Sequence, residues 1–248
     1  MQRLNFNTWL ENENMPMAHK KTKLVIFDFD GTLANVPERH KDWAGKDWWG
    51  HPDSLSQPYY NDEVNHEVVK AFQAANADPD AAAILLTGRR GIISPSVRRV
   101  LRSNDLHGKR IIPDSNRHLQ QKHAENLKAG HDEERKDYSH EEYYAGDHNT
   151  ELDYPQTPKG KPDGTTLAHK FYVIRKLIHE YTESVEFWED REDHIPSFIK
   201  LGLDLLNEYG VKNGGHLNSV MLHRVYPPSV KGGQSYIQHI PIKKGMVY

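Results

Sequence analysis

The stretch LVIFDFDGTL, residues 24–33, decides the fold of this 248-residue chain. Its first four residues are apolar and rich in β-formers, the pattern of a strand that is buried on both faces of a parallel sheet. Asp28 and Asp30 follow at once, and the alternation of an extended chain directs their side chains the same way. Gly31 then permits a tight turn. The stretch therefore predicts a buried strand that carries two carboxylates at its carboxyl end.

Outward from this stretch, apolar runs and helical periodicities alternate along the chain. The alternation of strand and helix predicts an α/β fold with a doubly wound, Rossmann-like parallel sheet that is covered by helices on both faces. Two later strands, over 216–225 and 236–242, are expected to close the sheet at or near its edge. The remaining predicted elements are strands over 82–86, 109–112 and 184–188 and helices over 62–77, 95–103, 166–178 and 195–208.

Residues 113–165 lack clear periodicity and are predicted to be an inserted loop or cap, because a stretch of this length is usually functional or mobile. A first, shorter insert is predicted near residues 34–61. Residues 1–20 carry one short amphipathic segment and are predicted to form an N-terminal arm. The prediction for the whole chain is an arm followed by one domain over residues 21–248.

Composition excludes several classes of function. No cysteine is present, so disulfides, thiolate chemistry and cysteine-ligated zinc are ruled out. No apolar run is long enough to cross a bilayer, and residues 1–20 lack the features of a secretory signal. The mean hydropathy of -0.82 is that of a chain with long polar loops. We expect a soluble, cytoplasmic protein without a membrane partner.

Charge is distributed unevenly along the chain. The net charge of -3 by itself argues against a nucleic-acid binder. However, residues 85–112 hold seven basic residues against one acid, and the chain after Glu208 holds five basic residues and no acid. These segments can meet a polyanion, while the acidic stretch over 113–166 stays solvated.

Polar side chains follow the predicted strands, at the edge of the sheet where ligands of open α/β folds bind. Asp28 and Asp30 follow the first strand, and further residues of interest accompany the later elements. These are Thr87, Gly88 and Arg89 after the second strand, Lys170 on the sheet-facing side of a helix, and Glu189 and Asp190 after the strand at 184–188. The parallel topology predicts that these residues meet.

These residue types suit phosphoryl transfer. A carboxylate can attack phosphorus to give an aspartyl-phosphate, and a second acid can protonate the leaving oxygen and later activate water. Phosphate and carboxylate repel each other, so the site needs positive charge from Mg²⁺ and a lysine, with a hydroxyl as a further donor. One residue is available for each role.

Each position also has a purely structural explanation. An acidic turn can follow any strand, a threonine such as Thr87 can cap a helix, and a lysine such as Lys170 can lie at the surface. Glu189 and Asp190 can cap the helix that follows them. The order and context of these positions favour the functional explanation, because together they supply the partners that Asp28 needs.

Residues 28–33 resemble the first motif of the haloacid dehalogenase (HAD) superfamily of phosphohydrolases. Residues 85–89 resemble the second motif of that superfamily, Lys170 its third, and residues 188–194 its acidic fourth. The resemblance implies a HAD-type core with inserted cap or loop segments and a Mg²⁺-dependent phosphatase activity.

The resemblance also implies a role for each residue. Asp28 would be the nucleophile and Asp30 the general acid and base, with Thr87 and Lys170 as phosphate ligands. The implied Mg²⁺ ligands are Asp28, Asp30 through its backbone carbonyl, and Asp190. The predicted substrate-binding residues are Gly88, Arg89 and Trp49.

A narrower resemblance is to the HAD-like domains of the Swiss army knife RNA-repair proteins, which are related in role to polynucleotide 3'-phosphatases. It covers residues 24 to about 200, and it implies a phosphorylated nucleic-acid end, with a 3'-phosphate, as the leading substrate and a role in nucleic-acid repair. His194 stands where many relatives have a second acid, which leaves open whether it or Glu189 supports the metal. The features that carry the resemblance lie in residues 48–55, 85–89, 166–174 and 188–194.

Two other functions stay open on the sequence alone. The inserts could close over a nucleotide or another small phosphorylated molecule, which would make the protein a small-molecule phosphatase. Alternatively, the fold could serve as a binding or structural protein without turnover. The presence of every residue type that the chemistry requires argues against this last alternative.

Two sets of side chains also have open roles. The tryptophans can form a stacking platform for a base, although a hydrophobic lid packed on the core is favoured. The arginines can form a track for a nucleic-acid backbone or a solvated basic face. The two sets are Trp43, Trp48 and Trp49, and Arg89, Arg98 and Arg102.

Overall fold

A computed structural model of the chain describes residues 21–45, 48–89, 93–106, 166–228 and 234–246. Three predicted features lie outside these residues, namely the N-terminal arm, the strand at 109–112 and the insert at 113–165. The division of the chain into an arm and one domain therefore stays a prediction.

The described residues include five strands: β1 (Lys23–Phe27), β2 (Ala81–Leu85), β3 (Ser184–Glu189), β4 (Ser219–Tyr226) and β5 (Tyr236–Ile242). They form one sheet in the order β2-β1-β3-β4-β5. The strands β1 to β4 are parallel, and β5 runs antiparallel to β4 at one edge. The predicted α/β class with a parallel sheet is therefore confirmed.

The described helices flank this sheet on both faces: α1 (His66–Ala77), α2 (Ser94–Ser103), α3 (Thr166–Leu177) and α4 (Ile195–Tyr209). Phe72 of α1 meets the ring of Phe27 edge-on at 5.1 Å, and Phe198 of α4 packs 5.2 Å from Phe187. Phe27 pairs with Trp188 in register, so Phe187 points to the opposite face. This is the doubly wound arrangement. None of the described helices is both long and apolar enough to cross a bilayer.

The register of the strands brings the carboxyl ends of β1, β2 and β3 to one level. Phe27, the last residue of β1, pairs with Leu85 on one side and with Trp188 on the other. The residues that follow these three positions therefore lie side by side at one edge of the sheet. The predicted site residues on three distant parts of the sequence are brought together in this way.

The first predicted insert packs on the core. It contains two 3₁₀ turns, Trp48–Gly50 and Pro52–Leu55. Trp43 and Trp48 are buried and meet edge-on at a centroid distance of 5.2 Å. These two tryptophans are therefore used for packing inside the insert and not for stacking on a base, whereas Trp49 is 43% exposed. That they form a lid on the core stays a prediction.

The structure refines two element predictions. Of the two closing strands, β5 forms the edge and β4 lies next to it, because β4 pairs with β3 on one side and with β5 on the other. The helix predicted over 62–77 begins at His66. Its first turn is lost because Asp62 has a positive φ of 58° and Val64 pairs with Ala34 in an isolated bridge.

Candidate active site

Asp28 lies where β1 ends, next to the end of β3. Its amide donates a hydrogen bond to the carbonyl of Trp188 at 3.0 Å, which extends the pairing of β1 with β3 by one residue. The carboxylate oxygen Oδ1 accepts a hydrogen bond from the amide of Phe29 at 2.8 Å. The other oxygen, Oδ2, lies 2.9 Å from Nζ of Lys170. The carboxylate is thus buried and fixed through both of its oxygens.

Lys170 lies on the sheet-facing side of α3, as its helical spacing predicts, and its side chain is buried. Besides its ion pair with Asp28, its ammonium donates to Oε2 of Glu189 at 2.7 Å. Glu189 is the last residue of β3, and the ring atom Nδ1 of His194 lies 3.4 Å from the same Oε2. One buried ammonium therefore serves two buried carboxylates.

Asp190 completes the acidic cluster from the side of the turn after β1. Its Oδ1 accepts a hydrogen bond from the hydroxyl of Thr32 at 2.9 Å. Gly31 has a φ of +74°, and a Cβ at this position would lie 2.0 Å from Oδ2 of Asp190. The turn therefore requires glycine for its backbone conformation and also for the close approach of Asp190.

The three acids share one small volume, since Asp28, Glu189 and Asp190 each place an oxygen within 4.8 Å of the others. Burial raises the pKa of Asp28 well above its ordinary value, although Lys170 opposes this effect. Burial and the charge of Glu189 raise the pKa of Asp190 to about 7. Burial also opposes the ionisation of Glu189, but Lys170 and His194 outweigh it and lower its pKa to about 2.

This donor set fits Mg²⁺, because carboxylate oxygens are the ligands that this hard cation prefers. Three carboxylates face one ammonium, so a divalent cation would balance the charge of the cluster. Of the predicted metal ligands, Asp28 and Asp190 belong to the cluster. The carboxylate of Asp30 does not, and its implied contribution through the backbone carbonyl stays a prediction.

In a metal-free buffer, the protein is expected to lose stability as the pH rises from about 5 to about 7. The pKa of Asp190 is about 7 in the folded protein against an ordinary value of 3.8. The folded state therefore holds a proton in this range that the unfolded state has released. The free energy of unfolding then falls with pH, by at most about 1.4 kcal/mol per pH unit for each such proton.

Thermal melts in the presence of a chelator test this expectation. Asp28 lowers the free energy of unfolding with rising pH in the same way as Asp190, because its pKa is also raised. Glu189 affects the pH dependence only below about pH 4.5, the ordinary pKa of its side chain, because its pKa is lowered. Asp190→Asn and added Mg²⁺ should each flatten the dependence on pH. A stability that rises across this range would contradict the expectation.

Asp30 faces a different partner, the guanidinium of Arg89. Nε of Arg89 lies 2.7 and 2.8 Å from the two carboxylate oxygens, and Nη2 lies 2.6 Å from Oδ1. The hydroxyl of Thr87 donates to Oδ2 of Asp30 at 3.4 Å. Nη1 of Arg89 in turn donates to Oγ of Ser54 at 2.6 Å and to the carbonyl of Trp49 at 3.2 Å. The 48–55 segment thus fixes the guanidinium of Arg89, which in turn binds the carboxylate of Asp30.

These contacts change how Thr87 and Arg89 are interpreted. Both side chains are buried and bound to Asp30, and Arg89 is only 1% exposed. The prediction of a solvent-facing arginine track that includes Arg89 is therefore wrong, because this guanidinium lies inside the protein. Direct contacts of Thr87 and Arg89 with a phosphate stay predictions.

A cleft of about 800 Å³ opens above the cluster. The predicted residues that line it are Asp28, Asp30, Trp49, Gly88, Arg89, Lys170 and Asp190. Pro227 and Pro228 directly follow β4, so their position after a predicted strand is the signal that marks them in the sequence. Asn35 and Glu63 come together only through tertiary packing, which no sequence signal marks. The lining residues that the sequence analysis missed include Asn35, Glu38, Glu63, Arg191, Pro227 and Pro228.

Comparison with known proteins agrees with this geometry. The family model described as HAD domain family 1 in Swiss Army Knife RNA repair proteins matches residues 29–214, well over half of the chain. The match begins one residue after Asp28. No curated protein and no solved structure matches the chain. With its parallel sheet and its acidic strand ends, the chain therefore belongs to this HAD domain family of the Swiss Army Knife RNA repair proteins, within a superfamily of phosphatase-type hydrolases.

Proposed function

We propose that the protein is a Mg²⁺-dependent phosphomonoester hydrolase that removes a 3'-phosphate from nucleic-acid ends through an aspartyl-phosphate on Asp28. One observation carries the proposal. The Asp28 carboxylate is fixed by a backbone amide and by Lys170 at the floor of a cleft, beside two further carboxylates. A carboxylate whose position is set before the substrate arrives is suited to attack phosphorus.

Asp28 and Asp190 are the side chains that would hold Mg²⁺, with the backbone carbonyl of Asp30 as a further ligand and Glu189 beside them. When bound, the cation would supply the positive charge that keeps the acids ionised and offsets the charge of the phosphoryl oxygens. Thr32 orients Asp190 through its hydroxyl. Each ligand is therefore held by the fold.

Hydrolysis then proceeds in two displacements at phosphorus. An Asp28 oxygen attacks phosphorus while the bond to the leaving oxygen breaks, and Asp30 donates a proton to that oxygen. Next, Asp30 takes a proton from water as the water oxygen attacks the same phosphorus, which frees Asp28 and inorganic phosphate. Lys170 pairs with the negative charge on the phosphoryl group in both steps.

Arg89 orients Asp30 for these proton transfers. Its Nε donates to both carboxylate oxygens, Nη2 lies 2.6 Å from one of them, and Nη1 donates to Ser54 and to the Trp49 carbonyl. Charge-assisted contact with both oxygens fixes the plane of a carboxylate as well as its position. The 48–55 segment thereby sets the geometry of the acid and base without touching the reacting atoms.

Nucleic-acid ends are the leading substrate class. The family model is named for RNA repair proteins. Trp49 lines the cleft with an exposed indole, and bases of single strands stack on such rings. Arg191 lines the same cleft with a half-exposed side chain, and a backbone phosphate can replace Asp193, its exposed partner at 2.7 Å.

A mononucleotide or another small phosphorylated molecule is the second candidate. The volume of the cleft, about 800 Å³, lies within the range of roughly 300–1,000 Å³ that is typical of small-molecule sites. A compact substrate would thus fit without any contact beyond the cleft.

Phosphate release in the presence of Mg²⁺ distinguishes the two candidates. The substrates are single-stranded RNA and DNA with a 3'-phosphate, the same strands with a 5'-phosphate, and nucleoside 3'-monophosphates. We expect the highest kcat/KM on the 3'-phosphorylated strands and loss of release with a chelator. A higher kcat/KM on mononucleotides establishes the second candidate, and the absence of Mg²⁺-dependent release from all of these substrates overturns the proposal.

Gly31→Ala is expected to lower kcat by roughly 100-fold, because a small displacement of a catalytic group has an effect of this size. The new Cβ must push Asp190 away. Gly214→Ala is the matched control, since Gly214 has a similar φ of +82° but no atom within 4 Å of the position of its Cβ. Steady-state kinetics and thermal melts of both variants test this. An equal loss of kcat in the two would contradict the role given to Asp190.

A further inference from the structure

An aromatic and basic surface lies where β4 ends and β5 begins, and Tyr236 is its exposed member. Tyr226 and Tyr236 pair in register across the two strands, and their ring centroids lie 5.5 Å apart. The guanidinium carbon of Arg224 lies 4.4 Å from the centre of the Tyr226 ring. We call these three side chains the tyrosine shelf.

The shelf is preformed, and the ring of Tyr236 is largely exposed. The hydroxyl of Tyr226 donates to Oε1 of Gln238 at 3.0 Å, which fixes that ring. Tyr236 is 65% exposed, although large aromatic side chains mostly serve burial. One face of a fixed aromatic pair is therefore available to a ligand.

Arg224 gives the shelf a positive charge that is weakly engaged. Its Nη2 lies 3.4 Å from Oε1 of Glu192, whose side chain is 85% exposed. Charge-assisted hydrogen bonds are shorter, about 2.7–2.9 Å. The Arg224 side chain itself is 19% exposed, so only its outer part is open to a ligand. The guanidinium can thus exchange Glu192 for an anionic ligand at low cost. The chain after Glu208 carries no acid that would compete.

The shelf is continuous with the cleft at two points. Arg191 lines the cleft and precedes Glu192, the partner of Arg224. Pro227 also lines the cleft and directly follows Tyr226. A chain that leaves the cleft past these residues reaches the shelf next.

We propose that the tyrosine shelf binds the nucleotide next to the terminal phosphate of a single-stranded nucleic acid, with its base stacked on Tyr236 and its phosphodiester on Arg224. The inference rests on the nucleic-acid substrate proposed above. Every base has a π-face, so the shelf tolerates any sequence. Because bases in a duplex are already stacked, it favours single-stranded ends.

Tyr236→Leu and Tyr236→Phe test the stacking contact, because leucine keeps apolar bulk without the aromatic face and phenylalanine keeps the ring. We expect Tyr236→Leu to raise KM for 3'-phosphorylated oligonucleotides roughly 5- to 150-fold, the range that corresponds to one stacked base. Its KM for a nucleoside 3'-monophosphate should not change, and Tyr236→Phe should behave like the wild type on both. Equal KM values for Tyr236→Leu and the wild type on all substrates overturn the proposal that a base stacks on Tyr236.

Arg224→Gln tests the charge contact, with Lys212→Gln as the matched control in the same basic tail. The readout is the affinity for a fluorescent single strand with a 3'-hydroxyl, measured by anisotropy over a range of salt concentrations. Removing one phosphate contact should reduce the slope of log affinity against log salt by about 0.7, and Lys212→Gln should leave it unchanged. Equal slopes for Arg224→Gln and the wild type overturn this part.

The binding assay separates the shelf from the proposed function, since it needs no turnover. If no substrate is hydrolysed but Tyr236→Leu still weakens oligonucleotide binding, the shelf is supported while the phosphatase proposal fails. If hydrolysis is normal and binding is insensitive to Tyr236, only the shelf fails.

Discussion

Asp28→Asn is expected to lower kcat for Mg²⁺-dependent phosphate release by about 10⁴-fold or more, the size of loss seen when a nucleophile is removed. An amide cannot form the aspartyl-phosphate, and it is also a poorer ligand for a hard cation. The substitution keeps the shape of the side chain and an oxygen that can accept from Phe29. The loss would therefore report chemistry and not a misplaced loop. Single-turnover measurements of phosphate release provide the test.

The same substitution is expected to leave the fold intact. Burial already raises the pKa of Asp28, so a neutral side chain relieves repulsion from Glu189 and Asp190. The melting temperature in a metal-free buffer should therefore be no lower than that of the wild type. Asp80→Asn, an exposed aspartate just before β2 at the opposite end of the sheet, is the matched control and should keep full activity. A kcat for Asp28→Asn within tenfold of the wild type would contradict the assignment of Asp28 as the nucleophile.

The strand-end residues could be placed from the sequence because parallel strands bring their carboxyl ends to a common edge. Asp28, Thr87 and Asp190 are far apart along the chain, yet each comes directly after or within one residue of an apolar strand. The pairing of Phe27 with both neighbouring strands then brings them together. Lys170 could be placed for a different reason, since helical spacing puts it on the buried side of α3.

The partner of Arg89 could not be predicted in the same way. Its guanidinium binds Asp30 because Ser54 and the Trp49 carbonyl hold it from the other side. These groups belong to an insert whose position depends on how Leu55 and Tyr60 pack into the core. Contacts of this kind arise from tertiary packing, and the local sequence carries no signal for them.

The division of roles between Glu189 and Asp190 was also hidden in the sequence. Glu189 ends β3 and reaches Lys170, whereas Asp190 begins the next loop and reaches the hydroxyl of Thr32. Two adjacent acids after a strand look alike in sequence, but their pKa values move in opposite directions, to about 2 and about 7. Contact with the buried ammonium accounts for this difference.

The charge balance of the whole cluster depends on Lys170. Burial works against its charged form, but Asp28 and Glu189 outweigh this effect and raise its pKa. Its ammonium lies 2.9 Å from one carboxylate and 2.7 Å from the other. Removal of one partner from a buried ion pair is more damaging than replacement of the whole pair, because it leaves a buried charge without compensation.

Lys170→Met is therefore expected to destabilise the metal-free protein by about 3–5 kcal/mol at neutral pH. Adding Glu189→Gln to this variant should recover part of the loss, because the unpaired charge disappears with its partner. Lys200→Met, at an exposed position of α4, is the matched control and should have little effect. Chemical denaturation of the three variants measures these values. If Lys170→Met costs no more than Lys200→Met, or if the double variant is less stable than Lys170→Met alone, then the ammonium does not hold the carboxylates in place.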